Sequence, residues 1–290
     1  MNKIITHTSP DWDAIGAAWL LQRHDSHYEH AEVVCASREQ IEKYKDTHAA
    51  IVDCGGIIDP LGRRFDHHQM PEGAANETCA ALLVWEWLGG KSGSVAHLEP
   101  LVMLIWAGDT GRSTNGADTS REVGLHALLA ARKAAGWTDA ALMEWGCQEL
   151  DLLAARLKRQ TEAAVELAEK LVWQSEDGKV VAIEHGQPRH SQAAFSAGAT
   201  LVVFRSDIPT ENGTSYAIGI QRNQAAEFPH VGSVLADSAL DSAMQADDWF
   251  RHPAGFFAGR GTGKATRFDP VPDGLTVDAV ARAIDKVWER

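Results

Sequence analysis

The sequence predicts an α/β protein of two domains, in which a parallel-sheet domain is followed by a helical connector and a smaller α/β substrate-binding domain. Three observations carry this. Early in the chain, short apolar strands alternate with helical stretches, the order that builds a parallel sheet with ligand-carrying loops at the carboxyl ends of its strands. From Thr138 to about Trp173 the pattern stays helical, with Leu150, Leu153, Ala154, Leu157, Thr161, Ala164, Val165, Ala168 and Leu171 recurring at threes and fours. Beyond it, short β-rich runs separated by turn residues take over. The expected divisions are 1–137, 138–176 and 177–290, and 290 residues suffice to bury two cores of ordinary size.

Taken in order, Lys3-Ile4-Ile5-Thr6 is a strand that delivers His7 and the loop 8–12. Asp13 then falls near the start of a helix whose apolar face includes Ile15, Ala18, Trp19 and Leu21. Strands near 31–36 and 49–53 flank a polar helix around 38–46. Helices near 77–88, 97–107 and 119–135 follow, the second ending at Gly108-Asp109. In the C-terminal part, Lys179 to Glu184, Thr200 to Arg205 and Ser215 to Ile220 read as strands, before a Gly-rich stretch at 255–263 and a closing helix near 276–289.

An apolar fraction of 44% and a charged fraction of 23% are those of a soluble globular protein. No apolar run approaches the roughly 18 residues of a membrane span, and the N-terminus enters a strand without a signal-peptide layout, so the expected location is cytoplasmic. Four cysteines (Cys35, Cys54, Cys79, Cys147) lie far apart with no Cys-x-x-Cys, which argues against a disulfide framework and a structural zinc site. The net charge is −13, and the first 176 residues hold 26 acidic and 16 basic side chains. That disfavours coating of long nucleic acid, which depends on Lys and Arg at phosphates. A small anion held through metals is allowed.

Four acid-bearing stretches stand at the ends of apolar runs: His7-Thr8-Ser9-Pro10-Asp11-Trp12-Asp13-Ala14, Ile51-Val52-Asp53-Cys54-Gly55, Arg64-Phe65-Asp66-His67-His68-Gln69 and Ala107-Gly108-Asp109-Thr110-Gly111. His7, Asp11, Asp13, Asp53, His67 and Asp109 are six candidate metal ligands, too many for one catalytic ion with open positions. Carboxylates with imidazoles and no thiolate favour a hard or borderline cation. Two divalent ions are therefore expected, Mn²⁺ first, with Mg²⁺ or Co²⁺ as alternatives. Paired ions activate water and stabilise the attacking and leaving oxygens of a displacement, which points to phosphoester or phosphoanhydride hydrolysis. Trp12 either packs beneath its loop or offers a wall on which a base stacks. His24, His27 and His30 read as a solvated turn.

One segment, Arg251 to Arg267, carries four basic residues and no acid, and it reads as a phosphate holder built around His252, Gly259, Arg260, Gly261 and Lys264. It is not a Walker A loop, because Ala258 and Ala265 stand where that motif needs Gly and Ser or Thr.

Together the four motifs resemble the DHH phosphoesterase superfamily, which includes RecJ exonucleases, nano-RNases, cyclic-dinucleotide phosphodiesterases and manganese inorganic pyrophosphatases. The resemblance implies a DHH-type catalytic domain, with His7 and Asp11 on one metal, Asp13 and His67 on the other, and Asp53 and Asp109 at or between both. It implies that His68 contacts the substrate or leaving group and that Asp66 braces the first loop. Two wider stretches, Gly55 to Gln69 and His252 to Lys264, are similar to the melanocyte-proliferating-gene family of metal-dependent exonucleases. Trp12 stands where a glycine is common. The C-terminal Gly-Gly-Gly-His signature of many members is missing, with Arg260 and Lys264 as its phosphate-binding substitutes. The expected substrate is a short oligonucleotide or dinucleotide, pyrophosphate or polyphosphate being the alternative, and a non-hydrolytic nucleotide sensor the reading from another class. No membrane partner is expected, and a homodimer stays open.

Overall fold

The apolar run Lys3–His7 forms β1, an interior strand of a five-stranded sheet. It is flanked by β2 (Glu32–Ala36) and β3 (Ala50–Val52), both parallel to it, and the sheet continues through β5 (Arg64–Phe65), parallel to β3, to the antiparallel edge strand β4 (Ile58–Asp59). The structure is a computed structural model that describes residues 2–71, 73–112, 124–210, 213–223, 249–260, 271 and 274–288. Because β2 lies on one side of β1 and β3 on the other, the winding reverses at β1. The crevice beyond the carboxyl ends of β1 and β3 is where such sheets hold ligands.

Helix α1 (Trp12–His24) leaves β1 through the loop 8–11 and is buried at every position from Trp12 to Leu21. The sequence suggests one apolar face. Its first ten residues are covered on every side instead, because they lie among β1, β3, α3 (Ala80–Trp87) and α4 (Glu99–Asp109). Gly16 permits that approach, since a Cβ there would lie 2.7 Å from Ile105 Cδ1. The polar helix expected over 38–46 is a short α2 (Arg38–Glu42). Arg64 ties the segment before β3 to β5, its guanidinium donating to the carbonyls of Ala49 (2.6 Å), Lys45 (2.8 Å) and Thr47 (3.0 Å).

Helix α5 (Leu125–Ala134) starts after Gly124, whose backbone is extended at its N-cap, and so later than the helix expected over 119–135, of which 119–123 lie outside the described residues. Trp12 packs, which settles the two readings of it: the side chain is 1% exposed. Its Nε1 donates to Leu125 O at 3.0 Å, and its ring meets Trp145 edge-on at 5.3 Å. Trp12→Ala is expected to cost about 3–5 kcal/mol, whereas Trp12→Phe, which keeps the ring contact and loses the hydrogen bond, should cost about 1 kcal/mol more than a neutral change. Urea unfolding of both variants checks the order.

Helix α6 (Asp139–Lys170) follows, and the chain divides within it into two units, Met1–Lys158 and Arg159–Arg290. The helical pattern ends earlier than Trp173. Leu171–Gln174 is instead β6, paired antiparallel with β7 (Val180–Ile183), and this pairing satisfies backbone groups that further helix would have used.

Among the described residues the second unit is built on a six-stranded sheet in the order β10-β11-β9-β8-β7-β6. Its other strands are β8 (Leu201–Thr210), β9 (Gly213–Arg222), β10 (Phe250–Arg251) and β11 (Phe257–Arg260). Among the described residues of this sheet, only β7 and β8 run parallel. Helix α8 (Val277–Trp288) lays Val277, Val280, Ala281 and Ile284 against Val180, Ala182, Leu201, Val203, Ile218 and Ile220. Helix α7 (Pro188–Ser196) escapes the sequence reading although its signals are present: proline in the first turn, and a reciprocal cap between Gln187 and His190. Among the described residues no helix is long and apolar enough to cross a membrane.

Candidate active site

His7 and Asp53 stand at the carboxyl ends of β1 and β3, and separate elements bring the other motif residues to them. Asp11 caps α1, one carboxylate oxygen accepting from the N–H groups of Asp13 and Ala14, both at 3.0 Å. Asp13 reaches the N-terminus of α3, where its two oxygens accept from Ala80 and Ala81, each at 2.7 Å. A carboxylate is favoured there by the helix dipole. Asp13 therefore locks α1 to α3 while each oxygen keeps a second lone pair.

Asp53 has φ 55, in the left-handed region that Asp and Asn tolerate better than most residues. Its Oδ2 lies 3.0 Å from His7 Nε2. Its Oδ1 lies 3.9 Å from His67 Nε2 and 3.7 Å from His68 Nδ1. His67 Nε2 is also 3.4 Å from Asp109 Oδ2 and 3.8 Å from Asp13 Oδ2, with the Asp109 side chain, at the end of α4, only 16% exposed.

The two inward histidines share one device. His7 Nδ1 lies 2.8 Å from Thr8 O, and His67 Nδ1 lies 3.0 Å from Ala75 O. A carbonyl only accepts, so Nδ1 carries a proton in both rings, and Nε2 is the nitrogen turned toward the carboxylates.

Three sets of ligand atoms lie within 4.8 Å of one another: His7, Asp11 and Asp53; Asp13, His67 and Asp109; and Asp53, His67 and His68. Asp53 and His67 each belong to two sets, so the seven residues form one centre. Asp109 joins the set with Asp13 and His67.

Burial first, then the charges of Asp13, Asp11 and Asp109, push the Asp53 carboxyl up to about 11. Asp109 rises to about 6, by burial and then by Asp13. Asp13 is raised by burial in spite of its backbone donors and the Cys79 thiol. The Cys79 thiol, at the start of α3, is itself driven up by burial and so stays protonated. Within this cluster Asp53 Oδ1 and His67 Nε2 are buried without a hydrogen-bond partner. Buried polar atoms are seldom left so, and the surrounding set of carboxylates and imidazoles suits a divalent cation. The residues fit a metal.

The contacts of Asp66 lie within its own motif and at the exit of β3, not at the loop 8–12 that the resemblance implies. Its Oδ1 accepts from the His68 backbone N–H at 3.0 Å and from His68 Nδ1 at 2.7 Å, and its Oδ2 accepts from Gly56 N–H at 2.6 Å. The reason is proximity: Asp66 follows β5, and β5 pairs with β3, whose exit leads to Gly56. Burial would raise Asp66, but the His68 side chain, His68 N–H and Gly56 N–H together hold it below the usual carboxylate range. The same bond raises the His68 imidazole. Asp66→Ala is expected to lower turnover by about 10- to 100-fold, with a smaller change in Mn²⁺ affinity, as read by steady-state kinetics beside a metal titration.

The described C-terminal candidates are not in one loop. Gly261 and Lys264 lie outside the described residues. Gly259 and Arg260 belong to β11, opposite Gly219 and Ile218 of β9, so part of the expected Gly-rich loop is strand, and Arg260 is 6% exposed. His252 follows β10, with its Nδ1 accepting from Ala254 N–H at 3.1 Å and its ring 4.2 Å from that of Phe256.

Residues outside the motifs also touch the site. The His126 ring lies against Gly108, leaving no room for a side chain beside Asp109. Lys133 and Asp139 bond the backbone of Ser9. No local spacing in the sequence announces these contacts, because each spans elements far apart in the chain.

Residues 3–91 match a known family. It is MYG1_exonuc, described as an uncharacterised protein family (UPF0160). The wider resemblance drawn from the sequence is thus borne out over a span that holds the stretch Gly55 to Gln69, with His7, Asp11, Asp13, Asp53, Asp66, His67 and His68, and that leaves out Asp109 and the second stretch, His252 to Lys264. No curated protein matches the sequence. Among solved structures, the pGpG-specific phosphodiesterase PggH from Vibrio cholerae aligns over 100% of this chain and 99% of its own, at 15% identity and a TM-score of 0.37. RecJ from Thermus thermophilus, in complex with Mn²⁺, aligns over 99% of this chain and 52% of its own, at 17% identity and a TM-score of 0.30. The chain spans about half the length of RecJ.

Proposed function

We propose that the chain is a metal-dependent phosphohydrolase that cleaves phosphodiester bonds of short oligonucleotides or dinucleotides at a centre holding two divalent cations, Mn²⁺ foremost. The observation that carries this is the pair of buried, unpartnered ligand atoms, Asp53 Oδ1 and His67 Nε2, inside linked sets of ligand-type residues. The family match over residues 3–91 supports it. His7, Asp11 and Asp53 would hold one ion and Asp13, His67 and Asp109 the other. When bound, such a pair supplies Lewis-acid polarisation of phosphoryl oxygens and neutralises the charge of an in-line displacement.

The chain's own groups orient the rest. The carbonyls of Thr8 and Ala75 hold the Nδ1 protons of His7 and His67, so their Nε2 atoms cannot turn away. Ala80 and Ala81 fix Asp13. His68, 61% exposed at its side chain and held at Nδ1 by Asp66, keeps Nε2 for the substrate, where it can bond a phosphate oxygen or pass a proton to the leaving oxygen.

Purified protein with Mn²⁺ is offered dinucleotides, cyclic dinucleotides, longer RNA and DNA, p-nitrophenyl-phosphate esters and pyrophosphate. Turnover is expected to be highest on substrates of two to a few nucleotides. A log-log salt slope of roughly −0.7 per contact, for about one to three contacts, should accompany it. Turnover of pyrophosphate alone would replace this reading with a pyrophosphatase, and binding without turnover would make the protein a nucleotide sensor.

A further inference from the structure

Ser9 stands midway between the proposed ligands His7 and Asp11, and its backbone has φ 56. A residue with a Cβ is disfavoured in the left-handed region, and serine has less tendency to enter it than Asn or Asp. The conformation needs support from elsewhere, and both of Ser9's peptide groups have it. Its N–H donates to Asp139 Oδ1 at 3.1 Å, and its carbonyl accepts from Lys133 Nζ at 2.9 Å. Lys133 belongs to the last turn of α5 and Asp139 to the first turn of α6. The start of α5 holds the far end of the same loop through Leu125 O and Trp12 Nε1. The loop that carries His7 and Asp11 is thus gripped at Ser9 and Trp12 by a helix pair more than 100 residues downstream, which among the described residues contributes nothing to the ligand sets.

We infer that Lys133 and Asp139 are positioning residues of the metal centre: by clamping the two peptide groups of Ser9 they hold its left-handed turn, and that turn sets His7 and Asp11 to face Asp53. The inference rests on the metal-site reading above. Exposed contacts of this kind contribute little to global stability, so their loss should appear in ion affinity and not in unfolding. Neither residue needs to touch substrate.

The test is Mn²⁺ titration of chelator-treated full-length protein, with melting of the metal-free form measured beside it. Lys133→Met and Asp139→Ala are each expected to weaken the ion held by His7, Asp11 and Asp53 by on the order of 10-fold, with metal-free melting unchanged. Asp139→Asn keeps an oxygen acceptor for Ser9 N–H and should retain most of the affinity. Adding Ser9→Gly to Lys133→Met should recover most of the loss, because glycine takes positive φ without the Cβ penalty. Wild-type affinity in both Lys133→Met and Asp139→Ala would overturn the inference, as would losses that track a fall in metal-free melting or that Ser9→Gly leaves uncorrected. If the wild-type protein itself binds no Mn²⁺, the metal-site reading falls and takes the inference with it. Unaltered variants beside a wild type that binds Mn²⁺ sink the inference alone.

Discussion

Asp53→Asn is expected to lower hydrolysis by about 1,000-fold or more, a loss of roughly 4 kcal/mol of transition-state stabilisation, while leaving the fold intact. Asp53 is the residue that joins the His7 and Asp11 set to the His67 and His68 set. Asparagine matches its shape and tolerates the φ of 55 found there, so the substitution removes charge without disturbing backbone. Alanine would confound the two. In the metal-free protein burial and three neighbouring carboxylates push Asp53 up to about 11, and a neutral amide relieves that conflict. The variant should therefore melt no lower than wild type without metal, yet gain little from Mn²⁺. Thermal melts with chelator and with Mn²⁺, run beside the kinetics, separate loss of the ion from loss of the fold.

The second large effect is on stability. Asp53 rises to about 11 and Asp109 to about 6 from 3.8 in the unfolded chain, so the metal-free folded state binds more protons than the unfolded one above pH 4. With the folded state holding the extra protons, stability falls as pH rises. Asp109 contributes to the fall up to about pH 6, and Asp53 continues it beyond. His68, raised by its bond to Asp66, adds to it above its usual range. His24, lowered by burial, works the other way near neutrality but is a single group. Chelated protein should lose roughly 1 kcal/mol per pH unit between pH 5 and 8. Mn²⁺ replaces those protons as the counter-charge and should flatten the profile, contributing about 2.7 kcal/mol per site at 100 times its dissociation constant. A chelated protein equally stable at pH 5 and 8 would contradict the carboxylate conflict on which this depends.

How much of the site is legible in the sequence depends on how local each signal is. His7, Asp53 and the Asp66-His67-His68 run sit just past strand ends, and the parallel sheet carries strand ends to one place, so alternation of strands and helices is enough to gather them. Partners that depend on tertiary contact stay hidden. Asp13 reads as a ligand only, yet it also anchors α3. Asp66 reads as a brace for the first loop, whereas the pairing of β5 with β3 returns it to Gly56. The end of α6 reads too late because Leu171 and Trp173 fit a helical stripe as well as a strand, and the pairing with Ile183 and Ala182 decides between them. The clamp on Ser9 has no local signature at all.

Equilibrium dialysis of chelator-stripped protein against Mn²⁺, followed by elemental analysis, tests the central claim most directly. Two ions per chain in the wild type, and fewer than two in Asp53→Asn, is the result expected if Asp53 holds one ion with His7 and Asp11 and links that set to His67 and His68. A wild type that retains no more than one ion per chain under conditions where it hydrolyses its substrate would contradict the two-ion centre.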